Sequence, residues 1–132
     1  MRSGFSQNTL ELILARSAGQ CEIMSQVCEY VLSDVHHRRP RGMGGTNEPS
    51  ANLASNGIAV CRRCHMWVES NRLWALDHGF ILKQGETDPQ DAPIWWRCNR
   101  LDFGLSSKVW CLLKNDGTRL ILGNQDRTGF TW

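Results

Sequence analysis

The chain has 132 residues and a formal net charge of +2, enough for one domain with a modest core and too little charge to announce a polyanionic partner by itself. No apolar run is long enough to span a membrane, and the early apolar patch, interrupted by Glu11 and Arg16, reads as an amphipathic helix rather than a secretory signal. The expectation is a soluble cytoplasmic protein, in whose reducing compartment the six cysteines point to metal ligands rather than disulfides.

Asn8, followed three residues later by Glu11, predicts a capped helix start. Leu10, Ile13, Leu14 and Ser17 share one face of that helix, and Gly19 is its expected stop. Tyr30 to Leu32 and Val35 suggest a short strand. Arg38 to Ser55 reads as loop, because Pro40, Gly42, Gly44, Gly45, Asn47 and Pro49 oppose regular structure. "NGIAV" restarts an extended segment. "CRRCHMWVESNRLWALDHG" reads as one helix ending at Gly79, with Met66, Trp67, Leu73 and Trp74 as its apolar positions. "KQGETDPQDAP" reads as a polar linker. Val109 to Leu113 and Thr118 to Leu122, joined by Asn115-Asp116-Gly117, read as a hairpin, and "NQDRTGFTW" as a frayed end. The tryptophans read as packing groups, although Trp95 and Trp96 stand beside Arg97 and Arg100, which keeps a role facing nucleic acid open.

Arginine outnumbers lysine, and Arg38, Arg39, Arg41, Arg62, Arg63 and Arg72 fall in one window whose acids are Asp34, Glu48 and Glu69. Such a window is either a solvated basic face or a phosphate grip. Cys61 and Cys64 form a CxxC at the mouth of the predicted helix, and Cys21 and Cys28 form a wider pair. Together they fit a tetrahedral four-cysteine zinc site, which would tether the helix start to the preceding knuckle and steady a long loop that a small core cannot hold. The alternatives are a redox CxxC, which normally follows a strand of a thioredoxin-like unit not visible here, and four unrelated thiols. Cys98 and Cys111 read as ordinary buried thiols.

Three of the four histidines, His36, His37 and His65, lie in the motif-bearing segments. His78 falls in the last turn of the predicted helix, where its charge suits the dipole. His36 and His37 are neighbours, and neighbours on a strand face opposite ways, so both can serve one site only where the strand ends. Arg38-Arg39-Pro40 supplies that end. His65 follows the CxxC directly.

These segments, "DVHHRRPRGMGG" and "ASNGIAVCRRCH" with the cysteine pairs, resemble the HNH endonucleases, in particular the small zinc-stabilised proteins of bacteriophages and prophages. The resemblance covers about Gly19 to Gly79. It implies an α+β fold: a small treble-clef-like ββα-metal core with a four-cysteine zinc knuckle, an N-terminal helix and a C-terminal β-hairpin extension. The nuclease domain would occupy 1–92, and the extension, 93–132, would pack on the same domain. The resemblance assigns His37 as general base and His36 and His65 as ligands of a catalytic ion. Some relatives place a further ligand where Glu69 stands. The middle asparagine is Asn56, at the family's interval before His65; Asn52 has a familiar neighbour in Leu53 but sits four residues earlier.

The resemblance implies hydrolysis of DNA phosphodiester bonds with low sequence specificity, by nicking or double-strand cutting, in a bacterial host cell. One structural Zn²⁺ and one catalytic divalent ion (Mg²⁺, Mn²⁺, Ni²⁺ or Zn²⁺) would be bound, two imidazoles suiting the transition metals better than Mg²⁺. Asn56 would orient the His37 ring. Arg38, Arg39, Arg41, Arg62 and Arg63 would hold DNA phosphates, which position a substrate without reading its sequence. The alternative is a non-catalytic zinc-containing module that binds nucleic acid or serves phage packaging, and a further reading is a nuclease that cuts only beside a terminase partner.

Overall fold

The computed structural model describes residues 4–40, 49–83, 85, 87–97 and 108–123. Within them the chain is a small α+β protein with two antiparallel sheets and three α-helices. Arg41, the loop glycines 42, 44 and 45, Cys98, Arg100 and the final stretch from Asn124 lie outside the described residues. Helix α1 (Gln7–Ser17) is capped by Ser6 rather than Asn8: the Ser6 hydroxyl accepts from the Thr9 amide at 3.1 Å, and the helix starts earlier than expected. It ends as Ala18 and Gly19 turn left-handed.

The cysteine-bearing loop follows, then strand β1 (Leu32–His37), which pairs antiparallel with β2 (Gly57–Cys61). Strand β2 is buried along its whole length and runs directly into α2 (Arg62–Ser70). Between the strands the described chain forms two 3₁₀ turns, Pro49–Asn52 and Ala54–Asn56.

The one helix expected as far as Gly79 is two. Asn71 leaves the helical region, and both its backbone N–H and its side-chain amide donate to the Trp67 carbonyl. Helix α3 (Arg72–Asp77) then begins in a new phase. Of the expected apolar positions, Met66 on α2 and Leu73 past the break are 60% and 79% exposed, while Cys64, Val68 and Ala75 face inward. His78 is not a solvated charge at a helix end. It is fully buried, donates from Nδ1 to the Trp74 carbonyl at 2.8 Å, and lies parallel to Trp110 at 6.1 Å. Its flat faces pack like those of an aromatic ring once the polar edge is satisfied.

A second sheet, in the order β3-β4-β5, comprises β3 (Ile94–Arg97), β4 (Lys108–Leu113) and β5 (Arg119–Gly123). The β4–β5 hairpin matches the expectation, whereas β3 is additional. Trp95 and Trp96 on β3 are buried, so packing is their role and they do not face a nucleic acid. One apolar cluster runs from Ile23 through Ile58, Val68 and Phe80 to Trp96, Trp110 and Leu113, so residues on both sides of Pro93 share one core. Cys111 lies in that cluster, where burial pushes its thiol up to about 12.

Polar groups inside this core are tied together by Glu22. Its carboxylate is fully buried and accepts four hydrogen bonds: from Arg16 Nε and Nη2 (2.7 and 2.8 Å), from the Ala59 amide (2.8 Å) and from Trp96 Nε1 (2.7 Å). Arg16 reaches on to the carbonyls of Ala54 and Gly57. A carboxylate has about four lone-pair positions, so Glu22 is saturated. Removing one member of such a pair leaves an uncompensated buried charge. Glu22→Ala should therefore lower unfolding free energy by about 3–5 kcal/mol in urea titration. A loss under about 1 kcal/mol would contradict this role.

Candidate metal centres

Two groups of ligand-type side chains come together among the described residues. The Sγ atoms of Cys21, Cys28, Cys61 and Cys64 all lie within 4.8 Å of one another, and ligand atoms of His36, His65 and Glu69 do the same. Both groups draw on α2, the first through its entrance and the second through its exposed side.

The cysteine cluster is built by the turn at the end of β2. Cys61 is the N-cap of α2, its Sγ accepting from the Cys64 amide at 3.3 Å, and one helical turn brings Cys64 alongside. Cys21 and Cys28 arrive from the loop after α1, where Met24 and Tyr30 adopt left-handed backbone. That loop turns N–H groups toward sulfur: Ser25 N donates to Cys64 Sγ (3.3 Å) and Tyr30 N to Cys28 Sγ (3.3 Å). Such donors stabilise thiolate charge. Hydrogen bonds from Cys28 and Cys64 hold the Cys21 thiol down to about 2, and the same contacts push Cys28 up to about 12 and Cys64 upward. All four are free cysteines in a compact sulfur cluster, the donor set of a closed tetrahedral site for a zinc-type ion. The wide spacing of Cys21 and Cys28 is no obstacle, because the intervening loop folds back on itself.

In the second cluster each histidine is fixed through one ring nitrogen. His36 Nε2 donates to the Phe80 carbonyl at 2.8 Å, which leaves Nδ1 with the lone pair. His65 Nδ1 stands 3.1 Å from an Asp34 carboxylate oxygen, which turns Nε2 outward. The rings meet edge to face at 5.1 Å. Fixing one nitrogen of each imidazole by a carbonyl or carboxylate is how proteins orient metal-binding histidines. Burial holds His36 down to about 4, so it is neutral at physiological pH, the state a ligand requires. Glu69 lies one helical turn beyond His65 and is half exposed.

His37 falls outside that 4.8 Å group. Strand character persists to His37, and alternation gives the two histidines different neighbours. The His37 ring stacks on Phe5 at 4.3 Å, and its Nε2 donates to Asn52 Oδ1 at 3.1 Å, which places the lone pair on Nδ1. Asn56, expected to orient this ring, does not. It is fully buried; its Oδ1 accepts from the Arg39 amide (2.8 Å) and its Nδ2 donates to the Arg39 and Ala51 carbonyls. Asn56 fastens the two ends of the inter-strand loop, and Asn52 is the residue at His37.

The arginines divide in a way that charge counting cannot reveal. Arg38 is fully buried and donates to the carbonyls of Gly79, Ser55, Pro89 and Ala92. Arg39 is 3% exposed and donates to the carbonyls of Lys83 and Thr87. Neither guanidinium is presented to a phosphate, and both strap down the segment expected as a polar linker. Arg62 and Arg63 are exposed on the first turn of α2, with Arg63 facing Glu29 at 3.9 Å.

Three further contributors are Asp34, Phe80 and Phe5. Asp34 had a usable signal: it stands two residues before His36, hence on the same face of β1. Phe80 acts through its carbonyl, and Phe5 by stacking from a distant segment, so neither carried one. Comparison of the chain with protein-family models, with curated proteins and with solved structures finds no match.

Purified protein should hold about one tightly bound zinc per chain. Metal analysis should find it lost in Cys61→Ser with a lowered Tm, and kept in Cys111→Ser. Unchanged metal content in Cys61→Ser would exclude the cysteine cluster as the site.

Proposed function

We propose that the chain is a metal-dependent HNH endonuclease that hydrolyses DNA phosphodiester bonds, with β1, β2 and α2 forming a treble-clef-like ββα-metal core. The observation that carries this reading is the convergence of His36, His65 and Glu69, with the second nitrogen of each imidazole already engaged by Phe80 and Asp34. Histidines that serve packing alone have no need to bring ligand atoms together with those of a carboxylate. The donor set fits a transition-metal ion: two imidazoles and a carboxylate, with room for water and a phosphate oxygen.

An ion bound there would supply Lewis-acid stabilisation of the phosphate and of the departing 3′ oxygen. His37 carries the base function. Its Nε2–H is held by Asn52, so Nδ1 is the atom that takes the proton from water. The stacked Phe5 ring limits its rotation. Asp34 holds the His65 ring through its Nδ1. Arg62 and Arg63 are the exposed cations for DNA phosphates on α2. Backbone contacts of this kind position a duplex without reading it, which favours low sequence specificity.

The test is nicking of supercoiled plasmid across a panel of Mg²⁺, Mn²⁺, Ni²⁺ and Zn²⁺. The wild type should cut with at least one ion, and His37→Ala should lose cutting while keeping its zinc and Tm. Asn52→Ala should lose about 10–100-fold in rate. Asn56→Ala should instead lower Tm, since it opens the loop fastening. Salt-sensitive DNA binding without cleavage under any ion would favour a non-catalytic binding module, and cutting only with an added terminase a packaging role.

A further inference from the structure

Among the arginines of the described residues, most have a structural occupation. Arg16, Arg38, Arg39 and Arg97 are buried and donate to carbonyls or, for Arg16, also to Glu22. Arg119 lies over the Trp96 ring at 4.5 Å. Arg72 differs. Its Nη1 stands 3.3 Å from Glu69 Oε2, and both side chains are about half exposed. Glu69 is itself one of the three side chains whose ligand atoms converge within 4.8 Å. Arg72 is therefore a guanidinium linked directly to that cluster. Glu69 and Arg72 also line an open surface recess of about 470 Å³ with Leu73 and Trp74, which neither His36 nor His65 lines.

We propose that Arg72 is a catalytic residue of the nuclease proposed above, contacting a non-bridging oxygen of the scissile phosphate beside the ion held by His36, His65 and Glu69. The inference rests on that nuclease reading. A guanidinium has five N–H donors, and the contact with Glu69 engages Nη1 alone. Nε and Nη2 make no hydrogen bond to the protein among the described residues. The fork is thus held at one corner by the carboxylate, with its other donors left for a phosphate oxygen. Charge builds on the non-bridging oxygens as water attacks phosphorus, and a fixed cation next to them acts more strongly in the transition state than in the bound substrate. A carboxylate has two oxygens, so Glu69 can hold the arginine through Oε2 and an ion through the other, one side chain then setting the separation of the two positive charges. No such pairing exists for Arg38 or Arg39, whose donors point into the protein.

The test uses full-length protein, plasmid nicking and duplex binding, with kcat and KM measured at saturating Mn²⁺. Arg72→Ala should lower kcat about 10²–10³-fold, with KM, zinc content and Tm close to wild type. Arg72→Lys should recover part of the loss, because it restores the charge without the fork. A merely positioning role through Glu69 makes a different forecast: Arg72→Ala would raise the Mn²⁺ concentration needed for half-maximal cutting, and saturating Mn²⁺ would restore the rate. Combining Arg72→Ala with Glu69→Ala should lower the rate below Glu69→Ala alone if Arg72 touches phosphate. Full recovery at saturating Mn²⁺, or no added loss in the double variant, overturns the proposal. A wild type that cuts with no ion overturns the nuclease reading and this inference together, whereas a cutting wild type with an unaffected Arg72→Ala overturns this inference alone.

Discussion

The saturated carboxylate of Glu22 is the constraint on which the rest of the architecture depends. A fully buried carboxylate is costly unless each lone pair is met. Meeting them here requires α1 to supply Arg16, β2 to supply the Ala59 amide and β3 to supply Trp96 in one small volume. The backbone of the same residue extends the linkage, its N–H donating to the Ala59 carbonyl and its carbonyl accepting from Arg97. Glu22 also adjoins Cys21, so the interaction that joins the two sheets places the first sulfur of the cysteine cluster.

From that anchor the candidate sites follow by short covalent distances. Cys61 and Cys64 set the entrance of α2, and His65 is the next residue on the helix, with Glu69 one turn further. Fixing the sulfur cluster therefore fixes the phase at which His65 meets β1. On the opposite side, Arg38 follows His37 directly and anchors the end of β1 to the carbonyls of Gly79, Pro89 and Ala92. This buried cation holds in place the segment whose Phe80 carbonyl orients His36. Structure at the two ends of β1 and α2, rather than within the cluster, is what makes the cluster rigid.

Much of this was legible from the chain. The four cysteines, the paired histidines and His65 stood out because few roles suit those residue types at such spacings. The β4–β5 hairpin was legible from its Asn-Asp-Gly turn between apolar runs. The helix break at Asn71 was not, because the apolar pattern continues past it; only the side-chain bond back to Trp67 marks the stop. The partner of His37 was not legible for a related reason. Interval counting favours Asn56, yet which asparagine reaches His37 depends on how the loop folds over itself, and Asn52 occupies that place.

Residue type and spacing, taken alone, pointed to a four-cysteine cluster on short α and β elements and singled out His36, His37 and His65, since ligand chemistry and local periodicity are encoded within a few consecutive residues. Tertiary structure alone decided which charges are available. Arg38, Arg39 and Arg72 look alike in the sequence, yet two lie inside donating to carbonyls and the third stands at the histidine cluster beside Glu69. That difference is made by burial and by partners drawn from segments tens of residues away, such as Gly79 and Pro89 for Arg38. The long-range packing that supplies those partners is not written in any local stretch of the chain.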